Sequence, residues 1–433
     1  MKNFIEELTW RGMIHDLTPG TEEHLQEAPR AAYVGIDPTA DSLHIGHLVS
    51  VMILKHFQAC GHKPVVLIGG ATGMIGDPSG KSQERNLLTK EQIETNIAGI
   101  KKQLSTLLDF NDSTENHAQL VNNYDWIAPY SFISFIRDIG KHITVNYMMA
   151  KDSVKRRFDA TSGAQGLSFT EFSYQLLQAT DFLHLHRDHG VTLQLGGSDQ
   201  WGNITTGIEL IRRITGDQVY GLTCPLITKS DGRKFGKTEQ GNVWLDPERT
   251  SPYKFYQFWL NTADDEAERY IKIYTLLDQP TIESLIEQHR AEPHRRILQN
   301  ALADATTEMV HGKAELDKAK EASTILFGKN THDALMRLDE RTFLSVFDGV
   351  PTHDVPASVV ENGVDVVALL AELTDVFPSK GELRRTIQGG GVSINKERVD
   401  TPEATVSRAD AINGKYILAQ RGKKEYHIIR LIA

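Results

Sequence analysis

Two stretches of this 433-residue chain combine residue types suited to holding a polyphosphate. In the first, Asp37-Pro38-Thr39-Ala40-Asp41-Ser42-Leu43-His44-Ile45-Gly46-His47 runs from the end of an apolar stretch into the start of a helical pattern. His44 and His47 are three apart and can project from one side of a first turn. The free N–H groups and the dipole at such a helix start favour phosphate. Gly46 leaves the backbone bare, so that a flat base could lie against it. In the second stretch, Gly232-Arg233-Lys234-Phe235-Gly236-Lys237-Thr238, two lysines three apart stand among small residues. They could neutralise charge that develops on a leaving group. Taken alone, that stretch reads as a solvated loop, and it gains meaning only beside the first.

Three further segments supply polar groups. Gly69-Gly70-Ala71-Thr72-Gly73-Met74-Ile75-Gly76-Asp77-Pro78-Ser79-Gly80-Lys81-Ser82 ends like a P-loop. The required leading glycine falls on Ile75, however, and Pro78 removes an N–H where phosphate would be cradled, which rules that reading out. Lys81 and Arg85 remain as phosphate contacts, and Asp77 could hold a cationic amine. Tyr174, Gln178 and Asp181 fall at i, i+4 and i+7 and so share one helical face. A polar stripe is usually a solvated face, but this one lies among apolar residues. Gly196-Gly197-Ser198-Asp199-Gln200 follows a strand pattern, where paired glycines let a ligand approach and Asp199 could accept hydrogen bonds from ribose hydroxyls.

The elements that must position these groups follow from apolar periodicity. Ala31–Ile36 and the PVVLI run at 64–68 read as buried strands around a helix at 46–60. A second unit joins a helix at 171–182, a strand at 191–195 and a helix at 203–214. Glycine-rich connections at strand ends complete the pattern of an α/β, Rossmann-like, doubly wound parallel sheet. Residues 1–240 are therefore expected to form the catalytic domain. Residues 241–328 read as an α-helical domain, with helices at 253–260, 266–277 and a long one at 294–325. Residues 329–362, with Pro351 and Pro356, read as a linker, and 363–433 as a small α+β domain.

Composition excludes several classes. With 40% hydrophobic and 24% charged residues the chain is an ordinary globular protein, and its two cysteines, Cys60 and Cys224, rule out a zinc ribbon or a disulfide framework. The start lacks a signal-peptide pattern and no apolar run spans a membrane, so a cytoplasmic protein without membrane association is expected. The net charge of -10 argues against a wholly nucleic-acid-binding surface, yet residues 377–433 hold 11 Lys and Arg against 6 Asp and Glu. Such a basic tail suits RNA. Lys380, Arg384 and Arg385 are its candidate contacts, and Lys151, Lys155, Arg156 and Arg157 form a second basic group. His184, His186 and His189 cluster without a second set of ligands, and no protein-held metal is expected.

Taken in order, these segments resemble the class I tyrosyl-tRNA synthetases of bacteria. HIGH stands at residues 44–47, and KMSKS takes the form Lys234-Phe235-Gly236-Lys237-Thr238. The resemblance extends to Glu292-Pro293-His294, to Val310-His311-Gly312 and to Ser379-Lys380-Gly381-Glu382-Leu383-Arg384-Arg385, which looks like the start of an S4-type RNA-binding module. It implies that Tyr33 and Asp181 bind a phenolic hydroxyl, that Asp77, Tyr174 and Gln178 hold an ammonium group, and that Gln200 lies near a carboxylate. Gly35, Asp37, Gly46, His47, Ser50, Gly197 and Asp199 would line the adenosine. Thr39, His44, Lys81, Arg85, Lys234 and Lys237 would meet the phosphates. The implied substrates are L-tyrosine, ATP with its Mg2+, and tRNA(Tyr), and the implied assembly is a homodimer. Val34 replaces a frequent cysteine and Ser50 a frequent threonine. Tryptophanyl-tRNA synthetase, a noncatalytic RNA-binding paralogue and a general nucleotidyltransferase are the alternatives. The Tyr33 and Asp181 pair, the intact signatures and the tail respectively disfavour them.

Overall fold

The computed structural model describes residues 2–79, 88–158, 166–228, 235–238, 241–327, 332–422 and 425–433. Two compact units divide the chain. The first comprises Met1–Asp246 with Thr262–Leu302, and the second Pro247–Asn261 with Ala303–Ala433.

A six-stranded sheet organises the first unit. Its strands are β1 (Asp16–Leu17), β2 (Ala31–Ile36), β3 (Lys63–Ile68), β4 (Gln119–Asn122), β5 (Val191–Gly197) and β6 (Tyr220–Cys224), in the order β1-β6-β5-β2-β3-β4. All pair in parallel except the edge strand β1. The interior strands β3 and β6 are buried on both faces, as a sheet covered by helices requires. From β2 the chain moves outward one way to β3 and β4, and from β5 the other way to β6. The order therefore reverses between β2 and β5, and the crevice at their carboxyl ends is where open α/β sheets bind ligands.

The two helices that border this crevice start with strong caps. Ile45–Ala59 opens on His44. Phe169–His189 opens on Ser168, which accepts from the Glu171 N–H while Glu171 reaches back to Ser168. The latter ends at Gly190 in the left-handed conformation, so that β5 can begin at the next residue. The helix expected over 294–325 is two helices, Ile297–His311 and Lys313–Phe327, broken at Gly312 with φ of 84°.

From His332 on, the segment expected as a linker is folded. It carries the helices His332–Arg337 and Glu340–Val346 and the strand Thr352–Pro356, which pairs in parallel with Glu425–Ile432. Thr352–Pro356 thus completes a five-stranded sheet of the second unit, and Val355 joins the apolar core that runs from Val360 to Leu431. The expected helical domain at 241–328 is not one compact body either, since its residues are shared between the two units. Among the described residues no helix is long and apolar enough to cross a membrane.

Candidate active site

A cleft of about 620 Å3 opens at the reversal of strand order. It is lined from β2 and the turn after it by Tyr33, Gly35, Asp37 and Thr39, and from the following helix by His44, Gly46, His47 and Ser50. Asp77 follows β3, Tyr174, Gln178 and Asp181 come from the helix Phe169–His189, Gly197 ends β5, and Asp199 and Gln200 follow it. The structure thus brings together every residue with a described side chain that the sequence assigned to an amino acid or a nucleotide. Lys81, Arg85 and Lys234 lie outside the described residues. For Lys237 only the main chain is described, in the two-residue strand Lys237–Thr238.

The deep end of the cleft is polar and buried. Asp181 is 1% exposed. Its Oδ1 accepts a hydrogen bond from Trp126 Nε1 at 2.8 Å, and its Oδ2 accepts one from Asn123 Nδ2 at 3.0 Å. Burial pushes its carboxyl up to about 7 against these two donors, with the Asp37 charge adding to the rise. Beside it, burial and the Asp181 charge hold the Tyr33 phenol well above its ordinary range. The Tyr33 hydroxyl has no hydrogen-bond partner among the described residues, and neither has Oε1 of Gln194, a 2% exposed side chain of β5 that lines the same cleft. A buried polar atom left without a partner costs about 1–3 kcal/mol. A ligand that brings a hydroxyl to this end recovers that cost, and an apolar ring of the same size does not.

In the middle of the cleft two carboxylates stand in a network. The Tyr174 hydroxyl donates to Asp37 Oδ2 at 2.8 Å, and Thr72 Oγ1 donates to Asp37 Oδ1 at 2.7 Å. Gln200 Nε2 donates to Asp77 Oδ2 at 2.7 Å, while Asp77 Oδ1 takes the Ser79 N–H at 2.9 Å. Asn203 ties Gln178 to the Asp77 group, since its Nδ2 donates to Gln178 Oε1 at 3.0 Å and stands 3.5 Å from Asp77 Oδ1. Acceptors converge here from three elements, an arrangement that suits an ammonium group.

The outer end holds the two histidines. Nδ1 of His44 accepts from the Gly46 N–H at 3.0 Å, and Nδ1 of His47 accepts from the His44 N–H at 3.2 Å. A neutral ring that accepts at Nδ1 carries its proton on Nε2, so both histidines are hydrogen-bond donors at that atom. The rings stack with centroids 3.9 Å apart. A side chain at Gly46 would meet the His44 ring at 2.8 Å, so the glycine makes room for the imidazole that caps its own helix.

Several contacts were not foreseen from sequence. Asn123 and Trp126, which hold Asp181, follow the edge strand β4, and the signal for them was only two polar or amphipathic residues after an apolar run. Gln194 is an amide between Leu193 and Leu195 inside a buried strand, a pattern that could have marked it. The histidine cluster is structural: His184 stacks on Trp126 at 4.2 Å and pairs with Asp188, while His186 bridges the Val191 carbonyl and Asp217.

The second basic group changes. Arg157 is 3% exposed and its guanidinium grips both oxygens of Glu171 at 2.8 Å, so it does not face solvent as an RNA contact must. Lys151 is partly buried, with its ammonium on Thr205 Oγ1 and over the Tyr147 ring, and burial lowers it to about 8. Lys155 and Arg156 stay exposed. In the tail, Arg384 and Arg385 are exposed on the helix Lys380–Gln388, while Lys380 pairs with Glu372.

Two families match successive parts of the chain. The tRNA synthetases class I (W and Y) match residues 25–328, and the Tyrosine--tRNA ligase SYY-like C-terminal domain matches residues 343–429. The chain is 62% identical over 427 residues to a tyrosine--tRNA ligase of Porphyromonas gingivalis and 60% identical over 427 residues to that of Bacteroides fragilis, with 99% of each chain covered in both cases. Among solved structures it is similar to a C-terminally truncated mitochondrial tyrosyl-tRNA synthetase of Aspergillus nidulans, with a TM-score of 0.67 and 33% identity over 76% of this chain and 95% of that one. A tyrosyl-tRNA synthetase of Archaeoglobus fulgidus complexed with L-tyrosine shares the fold, with a TM-score of 0.52 and 19% identity over 73% of this chain and 99% of that one.

Proposed function

The chain belongs to the class I tRNA synthetases of the tryptophan and tyrosine group and is a tyrosine--tRNA ligase, and we propose that the cleft joins L-tyrosine to ATP before the tyrosyl group passes to tRNA(Tyr). The observation that carries the amino-acid assignment is the deep end, where the partnerless Tyr33 hydroxyl stands with the buried Asp181. A substrate phenol donates to Asp181 and accepts from Tyr33. Its ammonium group meets Asp77, Tyr174 and Gln178, and Gln200 stands by its carboxylate.

The carboxylate is ionised at neutral pH, so its attack on the α-phosphorus of ATP needs no general base. One carboxylate oxygen bonds to that phosphorus, the bridging oxygen leaves with diphosphate, and tyrosyl-adenylate remains. ATP brings its own Mg2+ as part of the substrate. Gly35, Asp37, Gly46, Ser50, Gly197 and Asp199 hold the adenosine. The half-exposed Leu226 at the cleft's rim can cover the base. Thr39 and the Nε2–H donors of His44 and His47 bind phosphate oxygens most tightly as charge moves onto them, joined by Lys81, Arg85, Lys234 and Lys237. The terminal ribose hydroxyl of tRNA then attacks the tyrosyl carbonyl, and AMP leaves.

Because a phenol donates to the ionised form of Asp181, KM for tyrosine is expected to fall as pH rises across about 6 to 8 and then level off, with no such step in KM for ATP. The Asp181→Asn enzyme should lack the step. Steady-state exchange kinetics across pH check this, and a flat tyrosine KM in the parent would contradict the role of Asp181.

In the second unit, Arg384 and Arg385 with Lys380 are proposed to meet tRNA phosphates, with Lys155 and Arg156 of the first unit as further contacts. Replacing Arg384 and Arg385 by Ala should lower tRNA charging and flatten its log–log salt dependence by about one unit for each phosphate no longer neutralised, with tyrosine-dependent exchange unchanged. Charging that holds its rate and salt slope would remove the RNA role. A homodimer is supported by apolar residues left exposed in the first unit: Phe132 at 68% and Ile133 at 75% on one helix, with Val145 at 62% and Phe169 at 69%. Its substrates, ATP and tRNA, assign the work to the cytoplasm.

A further inference from the structure

The lysine signature contains an aromatic residue that the phosphate chemistry does not use. Phe235 is 7% exposed. Its ring stacks on Tyr274 with centroids 5.2 Å apart and planes 15° apart, and meets the edge of Tyr270 at 4.8 Å. Both tyrosines lie on the helix Asp264–Tyr274, four residues apart and therefore on one face, and both are fully buried. Aromatic pairs in these geometries add to the burial of their apolar area.

The socket is itself fixed. Arg11, 2% exposed, donates through Nη1 to the carbonyls of Lys272 at 2.6 Å and Thr275 at 3.0 Å, and through Nη2 to that of Leu277 at 2.6 Å. The first two are carbonyls at the end of the socket helix, which a helix leaves without partners of its own, and Leu277 lies in the segment that follows it. Glu7 holds Arg11 in turn at 2.8 Å.

The next residue, Gly236, is tied to the histidine signature. Its carbonyl accepts from the Val243 N–H at 3.0 Å, and the Val243 carbonyl accepts from the Ile45 N–H at 3.0 Å. Gly236 has φ of 82°, and a side chain there would fall 2.8 Å from Ile45 Cγ1. Two backbone hydrogen bonds and one close approach therefore join Gly236 to the first residue of the helix Ile45–Ala59. Lys237 follows directly.

We propose that Phe235 is a positioning residue for tyrosine activation: its ring, docked between Tyr270 and Tyr274, fixes Gly236 against the histidine helix and so sets where the lysine that follows stands relative to His44 and His47. This rests on the reading of Lys237 as a phosphate contact. The ring does not line the cleft, so it acts on the rate of adenylate formation and not on the binding of tyrosine.

The test compares single-turnover adenylate formation at saturating tyrosine and ATP with the equilibrium Kd for tyrosine. Phe235→Leu is expected to slow adenylate formation by about 10- to 100-fold, the scale of a displacement near one ångström, with tyrosine Kd within about twofold. Tyr274→Leu should reproduce the loss, Tyr274→Phe should recover most of the rate, and the double Leu variant should be little slower than either single one, because both remove the same ring stack. An unchanged rate in Phe235→Leu, fully additive losses, or a rate loss matched by a rise in tyrosine Kd would overturn the proposal. Lys237→Ala separates the two layers: if it is slow while Phe235→Leu is not, the anchor alone fails, and if Lys237→Ala is itself unchanged, the phosphate reading beneath it fails.

Discussion

Replacing Asp181 by Ala is expected to lower kcat/KM for tyrosine by roughly 100- to 1000-fold, about 3–4 kcal/mol, while KM for ATP moves by no more than about threefold. The size follows from what the substitution strands. Asn123 and Trp126 each lose the acceptor they are aimed at, and the substrate hydroxyl loses a charged one, at a carboxylate that is itself buried. Phenylalanine presents the mirror image of the same loss, since it leaves the Tyr33 hydroxyl without a partner and brings Asp181 no further donor. Tyrosyl-tRNA synthetases are themselves the reference case for that discrimination without editing. Equal losses for tyrosine and ATP would mean that Asp181 does not mark the amino-acid end.

The same carboxylate leaves a signature in stability. Its folded value of about 7 lies above the ordinary 3.8. The folded chain therefore holds a proton that the unfolded chain releases, and the stabilising contribution is complete below the unfolded value and lost as pH rises through the folded one. Asp181→Asn removes this dependence. On the proposed assignment, the ionised group that costs stability at neutral pH is the one that receives the substrate phenol.

His44→Ala is expected to slow tyrosine activation by roughly 100- to 1000-fold with tyrosine Kd unchanged, the cost of removing one donor that acts only on developing charge. His44 also caps its helix through Nδ1, and the two roles can be separated. His44→Ser restores a good cap but cannot reach the phosphates. It should stay as slow as His44→Ala while recovering thermal stability. Full recovery of the rate in His44→Ser would show that the cap alone mattered.

The parts of the site that sequence revealed are those carried by short contiguous strings at the ends of predictable strands. The histidine and glycine segments fall after β2 and β5 because only strand ends at the reversal of order give a polar string a concave place. The stripe of Tyr174, Gln178 and Asp181 was legible because helical periodicity puts all three on one face. What escaped were partners brought in by tertiary folding. Asn123 and Trp126 reach Asp181 from 58 and 55 residues away, and Asn203 reaches Gln178 from 25. No local pattern announces them. Arg157 failed for the complementary reason: in a run of basic residues one side chain turned inward to a buried Glu171, and a charge run does not show which member that is. The folded connector escaped because its strand Thr352–Pro356 is short, ends on proline and pairs with a strand more than 70 residues further on, Glu425–Ile432.

The most direct test of the account is amino-acid-dependent exchange of pyrophosphate into ATP by the purified chain. It predicts exchange with tyrosine, and none above background with phenylalanine or tryptophan at the same concentration. Exchange with tryptophan but not with tyrosine, or with no amino acid at all, would contradict it.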